Sequence, residues 1–176
     1  MILFDDHRAV VAAVIAISAI ACVTDLRTRR IPNLLTFGAA AAALLFHLVT
    51  GGPSALGWSA VGWLVGVAIF FLPFALGGMG AGDLKLLAAL GAWLGPGAAV
   101  WLALYTGVAG GVMAIVVALA RGYLRRALSN IWLLLSHWRV SGIGPVDELT
   151  LASSNAPKLA YALPIFVGTL VVIWTH

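Results

Sequence analysis

Asp25 and Asp83 are the residues of this sequence best suited to chemistry. The chain has six acidic residues. Asp5 and Asp6 belong to the N-terminus and Asp147 and Glu148 to a polar segment, whereas Asp25 and Asp83 mark the ends of apolar runs. Ionisable groups at membrane depth are costly and by default mark a functional site. Two carboxylates brought together do not both ionise easily, so one keeps a proton near neutral pH. Such a pair supplies a general base to activate water and a general acid for a leaving amine. Peptide hydrolysis by that route needs no covalent intermediate, no metal and no cofactor, and none is expected here. Spacing along the chain does not say whether the two acids meet.

Each acid also has a plainer reading. Asp83 alternatively caps a helix beginning at Leu84, and Asp25 is alternatively a juxtamembrane acid neutralised by Arg27, Arg29 and Arg30. Around Asp83, Gly78, Gly80 and Gly82 remove Cβ atoms at alternate positions and suggest a flexible, partly hydrated segment delivering the acid to a cavity. After Asp25, Pro32 limits helix continuation, and Pro32-Asn33 suits a turn or a helix start. Other chemistries have less support. Cys22 shares no motif with His7, His47, His137 or His176, and as the lone cysteine it excludes an intrachain disulfide and a Cys-only zinc site. No phosphate-binding loop is present, since the glycine run leads to Asp rather than to Lys-Ser/Thr.

The elements that must position these acids are membrane helices. The chain of 176 residues is 62% hydrophobic and 9% charged, where a soluble domain carries about 25% charged residues. One small core does not hide that apolar area, so lipid must cover it. The formal charge of +4 would suggest nucleic acid in a soluble protein. Here the basic residues lie at the ends of apolar runs, so the membrane explains them and no nucleic-acid partner is expected. Apolar runs occupy roughly 9–23, 34–50, 55–76, 84–95, 98–120 and 159–175. The first and fourth are shorter than the roughly 20 residues a crossing needs, so each helix is expected to continue past its carboxylate. The expected fold is all-α, a single domain over 1–176 and a polytopic membrane protein with about six transmembrane helices.

Orientation follows from the basic residues. Segments 24–33, 77–85 and 121–158 hold every Lys and Arg except Arg8. Those segments are therefore placed in the cytoplasm with both acids beside them, and both termini are placed outside. Asp5, Asp6, His7 and Arg8 do not make a positively charged n-region, so 9–23 is read as a retained helix rather than a signal peptide. Within 121–158, Leu124, Leu128, Ile131, Leu135 and Trp138 form one apolar stripe over 121–139. A basic amphipathic helix of this kind lies in the headgroup plane, or alternatively binds a substrate or partner. Residues 140–157 read as a loop.

Asp25 with Ile31-Pro32-Asn33, and the run Gly78-Met79-Gly80-Ala81-Gly82-Asp83-Leu84-Lys85-Leu86, resemble the paired motifs of the type IV prepilin peptidases. Tyr161-Ala162-Leu163-Pro164-Ile165 with Gly168 is similar to that family's final helix. The resemblance implies an intramembrane aspartic endopeptidase in the bacterial inner membrane. It would cut prepilin or pseudopilin precursors at the cytoplasmic face, just before their hydrophobic helix. By position, Asp25 and Asp83 carry over as the catalytic acids and Gly78, Gly80 and Gly82 as the glycine motif. Asn33 and Lys85 are kept with the motif as substrate-binding or motif support; the residues give Lys85 no derived role, and holding substrate carboxylates or tuning Asp83 are the two that would suit it. Larger family members add a methylating domain with paired Cys-x-x-Cys motifs. The single cysteine makes this chain resemble the short, peptidase-only form of tight-adherence pilus systems, with cleavage and no N-methylation expected. Presenilin-like proteases also place an aspartate after Gly-x-Gly, but pair it with Tyr-Asp and a later Pro-Ala-Leu. Here Thr24-Asp25 and Ala162-Leu163-Pro164 favour the prepilin group. Two other classes stay open: a small proton-coupled transporter using either acid, and a non-catalytic pilus-assembly subunit. Neither the oligomeric state nor the natural pilin is legible from the residues.

Overall fold

A computed structural model describes residues 3–122, 124–142, 144 and 160–175. The described residues form helices and no strand: α1 (Leu3–Thr28), α2 (Asn33–Ala75), α3 (Ala81–Ala120), α4 (Leu124–Ser141) and α5 (Ala162–Thr175). Three of them, α1 from Asp6 onward, α2 and α3, are long and apolar enough to cross a membrane, and α5 is a shorter apolar helix. Most of the expected 140–157 loop, with Asp147 and Glu148, lies outside the described residues.

Neither α2 nor α3 is a straight rod. Each is interrupted at one glycine, Gly52 (φ 71, ψ −166) and Gly95 (φ 80, ψ 171), and each glycine is followed by proline. The packing shows that the chain reverses there. The Trp93 indole N–H donates to the Ala39 carbonyl at 3.0 Å, while the Ser59 hydroxyl donates to the carbonyl of neighbouring Ala92 at 2.7 Å. On a straight helix Ala39 and Ser59 would stand about 30 Å apart, so the two halves of α2 lie side by side against α3. Likewise a Cβ on Gly91 would come within 3.3 Å of the Ala99 Cβ, although a straight helix would separate the two by about 12 Å. The gaps between the apolar runs 34–50 and 55–76, and between 84–95 and 98–120, are therefore spanned by reversals at single glycines. That backbone region is almost closed to residues with a Cβ. A Cβ at Gly52 would meet nothing within 4 Å. Gly52→Ala should therefore destabilise the fold by about 1–3 kcal/mol through backbone strain alone, read as a lowered thermal midpoint in detergent.

The interior combines small side chains with larger ones such as Leu86, Leu90, Leu102 and Ile165. Ala39, Ala40, Ala43, Ala88, Ala89 and Ala92 are buried, while Leu34, Val49, Val108 and Trp174 are exposed. Close helix packing over alanine and glycine with bulky residues outside is the pattern of helices packed in lipid, and such an outer surface is stable only when lipid covers it. Thr106 fits the same pattern: its buried hydroxyl, without a hydrogen-bond partner, faces Gly168.

The contacts also order the two ends of the bundle. His7, Val10, Trp93, Leu94, Ala98 and Val172 surround a cavity of about 200 Å³, and His47 and Trp58 gather beside Gly95 at that same end. Asp25 and Asp83 lie at the opposite end of α1 and of the first half of α3. α4 covers most of the 121–139 segment, with Leu128, Ile131, Trp132 and Leu135 exposed.

Candidate active site

α1 carries Asp25 in its last turns and ends where Arg29 takes a left-handed conformation (φ 56). That conformation is uncommon for a residue with a Cβ, and such outliers persist only where surrounding structure enforces them. The Arg29 N–H still reaches the Asp25 carbonyl at 2.8 Å, closing the final turn. Three residues after Arg29, Pro32, extended at φ −61 and ψ 134, is the N-cap of α2. Ile31 between them is buried.

α2 ends near Ala75, and the Gly78 N–H folds back to the Pro73 carbonyl at 2.9 Å. Buried Met79 anchors the linker, and Gly80 is the N-cap of α3. The helix thus begins one turn earlier than the expected start at Leu84, and Asp83 is its third residue rather than its cap. The Asp83 carboxylate accepts a hydrogen bond from the Gly80 backbone. This is half of a capping box, with an acid placed favourably at the positive end of the helix dipole. The local glycine sequence is ordered by that contact: a Cβ on Gly80 would sit 3.0 Å from Asp83 Oδ2.

The two acids meet at one cavity. A space of about 470 Å³ is lined by Asp25, Asp83, Lys85, Asn33, Gly80 and Gly82, together with Arg29, Arg30, Ile31, Pro32 and Ala81. Asp25 is 8% exposed and lies within electrostatic reach of Asp83. Its Oδ2 accepts the backbone N–H of Ala162 at 3.3 Å, which ties α5 to the site. Gly82 brings the two segments into contact, since a Cβ there would stand 3.2 Å from the Ile31 Cβ. Lys85 Nζ donates to Asn33 Oδ1 at 2.9 Å and lies 5.1 Å from the centroid of the Phe37 ring. Of the residues singled out from sequence, only Gly78 stands apart from the cavity lining. Among the described residues, no three His, Cys, Asp or Glu side chains gather as a metal site would require.

Some contributors escaped the reading of residue types. The donor to Asp25 is a main-chain N–H at Ala162, which any residue but proline offers, so only the likeness of the Tyr161–Pro164 segment pointed there. Phe37 had a usable signal, one helical turn after Asn33 and so on its face of α2.

A family model described as the type IV leader peptidase family matches residues 12–115. The chain belongs to that family. Among its relatives are prepilin leader peptidase/N-methyltransferases. The one from Aeromonas hydrophila is 38% identical over 106 residues, 56% of this chain and 36% of the relative. The one from Burkholderia pseudomallei is 38% identical over 121 residues, 65% and 37% respectively. A third, from Neisseria gonorrhoeae, is 36% identical over 105 residues. The chain spans little more than a third of the length of the curated relatives it matches, 36–37%. No solved structure matches it. The matched region of this leader peptidase family member contains both Asp25 and Asp83 but stops before Ala162.

Proposed function

We propose that this chain is an intramembrane aspartic endopeptidase that removes the leader peptide of type IV prepilin-like precursors, with Asp25 and Asp83 as its catalytic pair. The observation that carries the reading is the shared cavity: two carboxylates from α1 and α3, one buried and one half-buried, open onto a space large enough for a peptide segment and water. In this reading one carboxylate takes a proton from water as the water attacks the scissile carbonyl. The other carboxylic acid gives its proton to the leaving amine. Membership of the leader peptidase family supports the substrate class, and the names of the curated relatives point the same way.

The same proposal extends to topology. Each half of α2 and α3 becomes one crossing, and α1 and α5 bring the bundle to six, with the 14-residue α5 shorter than the roughly 20 residues a full crossing takes. The acids then face the cytoplasm of a bacterial inner membrane, on the side carrying Arg27, Arg29, Arg30 and Lys85. α4 lies along the headgroups, its exposed Leu128, Ile131 and Leu135 in the acyl boundary.

Reconstitution of the chain in lipid with a prepilin bearing its leader tests the reading: a product cut at the leader junction is expected. Uncut precursor across a panel of prepilins, with the protein folded, would overturn it. Gly82→Ala gives a finer test. The added methyl must push Ile31 by a few tenths of an ångström, while replacing glycine inside a helix stabilises by about 0.5–1 kcal/mol. The thermal midpoint should hold while turnover falls roughly tenfold or more, because small misplacement of reacting groups is costly. Unchanged turnover would mean that the Ile31–Gly82 contact does not set the site.

A further inference from the structure

The geometry points to Lys85 and Asn33 as a positioning clasp that sets the mutual placement of the two carboxylates, a role that rests on the peptidase reading above. Asp25 and Asp83 belong to different helices, and no chain connection shorter than the whole of α2 joins them. Along the bundle α2 is held to α3 by the Ala39–Trp93 and Ser59–Ala92 hydrogen bonds, which sit near the far end. Ala162 N–H holds the Asp25 carboxylate, and Ile31 rests against Gly82. One side-chain bond across the cavity is Lys85 Nζ to Asn33 Oδ1, at 2.9 Å.

The placement of its partners suits a clasp. Asn33 is the first residue of α2, directly after the Pro32 N-cap, so its side chain is fixed to the point where the chain from Asp25 re-enters a helix. Lys85 follows Asp83 by two residues in the first turns of α3, so a pull on one moves the other. Phe37 lies four residues after Asn33 and therefore on the same face of α2. Its ring lies under the ammonium at 5.1 Å, which steadies the lysine in its reach across the cavity. The acceptor is a neutral amide. The bond therefore ties the two segments together without itself occupying an oxygen of either carboxylate.

The test uses the full chain in lipid with a prepilin substrate. Asn33→Leu, Lys85→Met and the two combined are compared with wild type, after equal insertion and thermal midpoint are verified. Each single change is expected to lower kcat by roughly tenfold to a hundredfold with KM little changed. The double variant should fall no further than the worse single, the mark of residues acting through one contact. Asn33→Asp, which keeps the acceptor oxygen, should recover most of the activity. If Lys85→Met instead raises KM with kcat intact while Asn33→Leu is silent, Lys85 holds substrate directly and the clasp is wrong. Additive losses in the double variant would also overturn it.

A second measurement needs no activity. In a Cys22→Ser background, Ile31→Cys combined with Gly82→Cys brings two Cβ atoms to a separation near that of a disulfide. Oxidative closure should be rapid with the clasp intact and severalfold slower once Asn33→Leu is added. Equal closure rates would sink the positioning role. Because crosslinking reports geometry alone, it stands even if Asp25→Asn and Asp83→Asn leave cleavage intact, an outcome that would remove the peptidase reading instead.

Discussion

Asp25→Asn and Asp83→Asn are each expected to abolish leader cleavage, lowering turnover by about a thousandfold or more, within the range that a positioned acid or base contributes. Asparagine nearly matches aspartate in shape, so the two changes probe proton transfer rather than packing. At position 25 the amide oxygen still accepts the Ala162 N–H. At position 83 it still accepts from the Gly80 backbone, preserving the start of α3. Insertion and thermal midpoint should therefore hold while activity disappears. Since the two acids act as one unit, the double variant should be no slower than either single change. Cleavage surviving in one variant would remove that residue from the chemistry. A requirement for only one acid, with proton flux in place of cleavage, would favour a carrier.

The second large effect lies within the helix packing. Gly62→Ala is expected to destabilise the fold by about 1–3 kcal/mol, the range for overpacking a tight interior, and to lower activity with it. A Cβ on Gly62 would collide with the Gly91 carbonyl oxygen and come within 2.9 Å of the Gly95 Cα. These are backbone atoms, which have no rotamer through which to yield. The collision would push apart the second half of α2 and the first half of α3, the same half that carries Asp83 at its start. One turn further on, Gly66 is just as constrained, its Cβ falling 2.8 Å from the Ala88 Cα. Gly57, by contrast, has open space within 4 Å. Gly57→Ala therefore serves as the control, and equal midpoints for Gly57→Ala and Gly62→Ala would refute the close approach.

Much of the candidate site was legible in residue types. In a chain so poor in charge, an aspartate at the end of an apolar run stands out, and Asp25 and Asp83 were the two such residues. Glycines at 80 and 82 announced a close backbone approach, and Ile31 resting on Gly82 is that approach. Helices and their apolar length were equally plain, since hydrophobic runs dictate both. The likeness to prepilin peptidases rested on short motifs around those acids, and the leader peptidase family match over residues 12–115 agrees with it.

What the residues alone left open were distances between segments far apart in the chain. A hydropathy run does not say that α2 folds back at Gly52 so tightly that one φ reversal replaces a loop, nor that Ala39 and Ser59 share a neighbour. From sequence Asp83 had two readings, an acid delivered to a cavity by a glycine segment or the cap of a helix beginning at Leu84. In the fold, Gly80 takes that place, and Asp83 folds its side chain back to it from within the first turn. The Ala162 donor to Asp25 and the Lys85–Asn33 bond arise only when α5 and α2 pack against their neighbours. Local pattern is set by side-chain chemistry within a few residues, so the sequence by itself determined the helices, their apolar faces and the identity of the two acids. The meeting of those acids in one cavity depends on helix packing across the whole chain, and only the tertiary structure decided it.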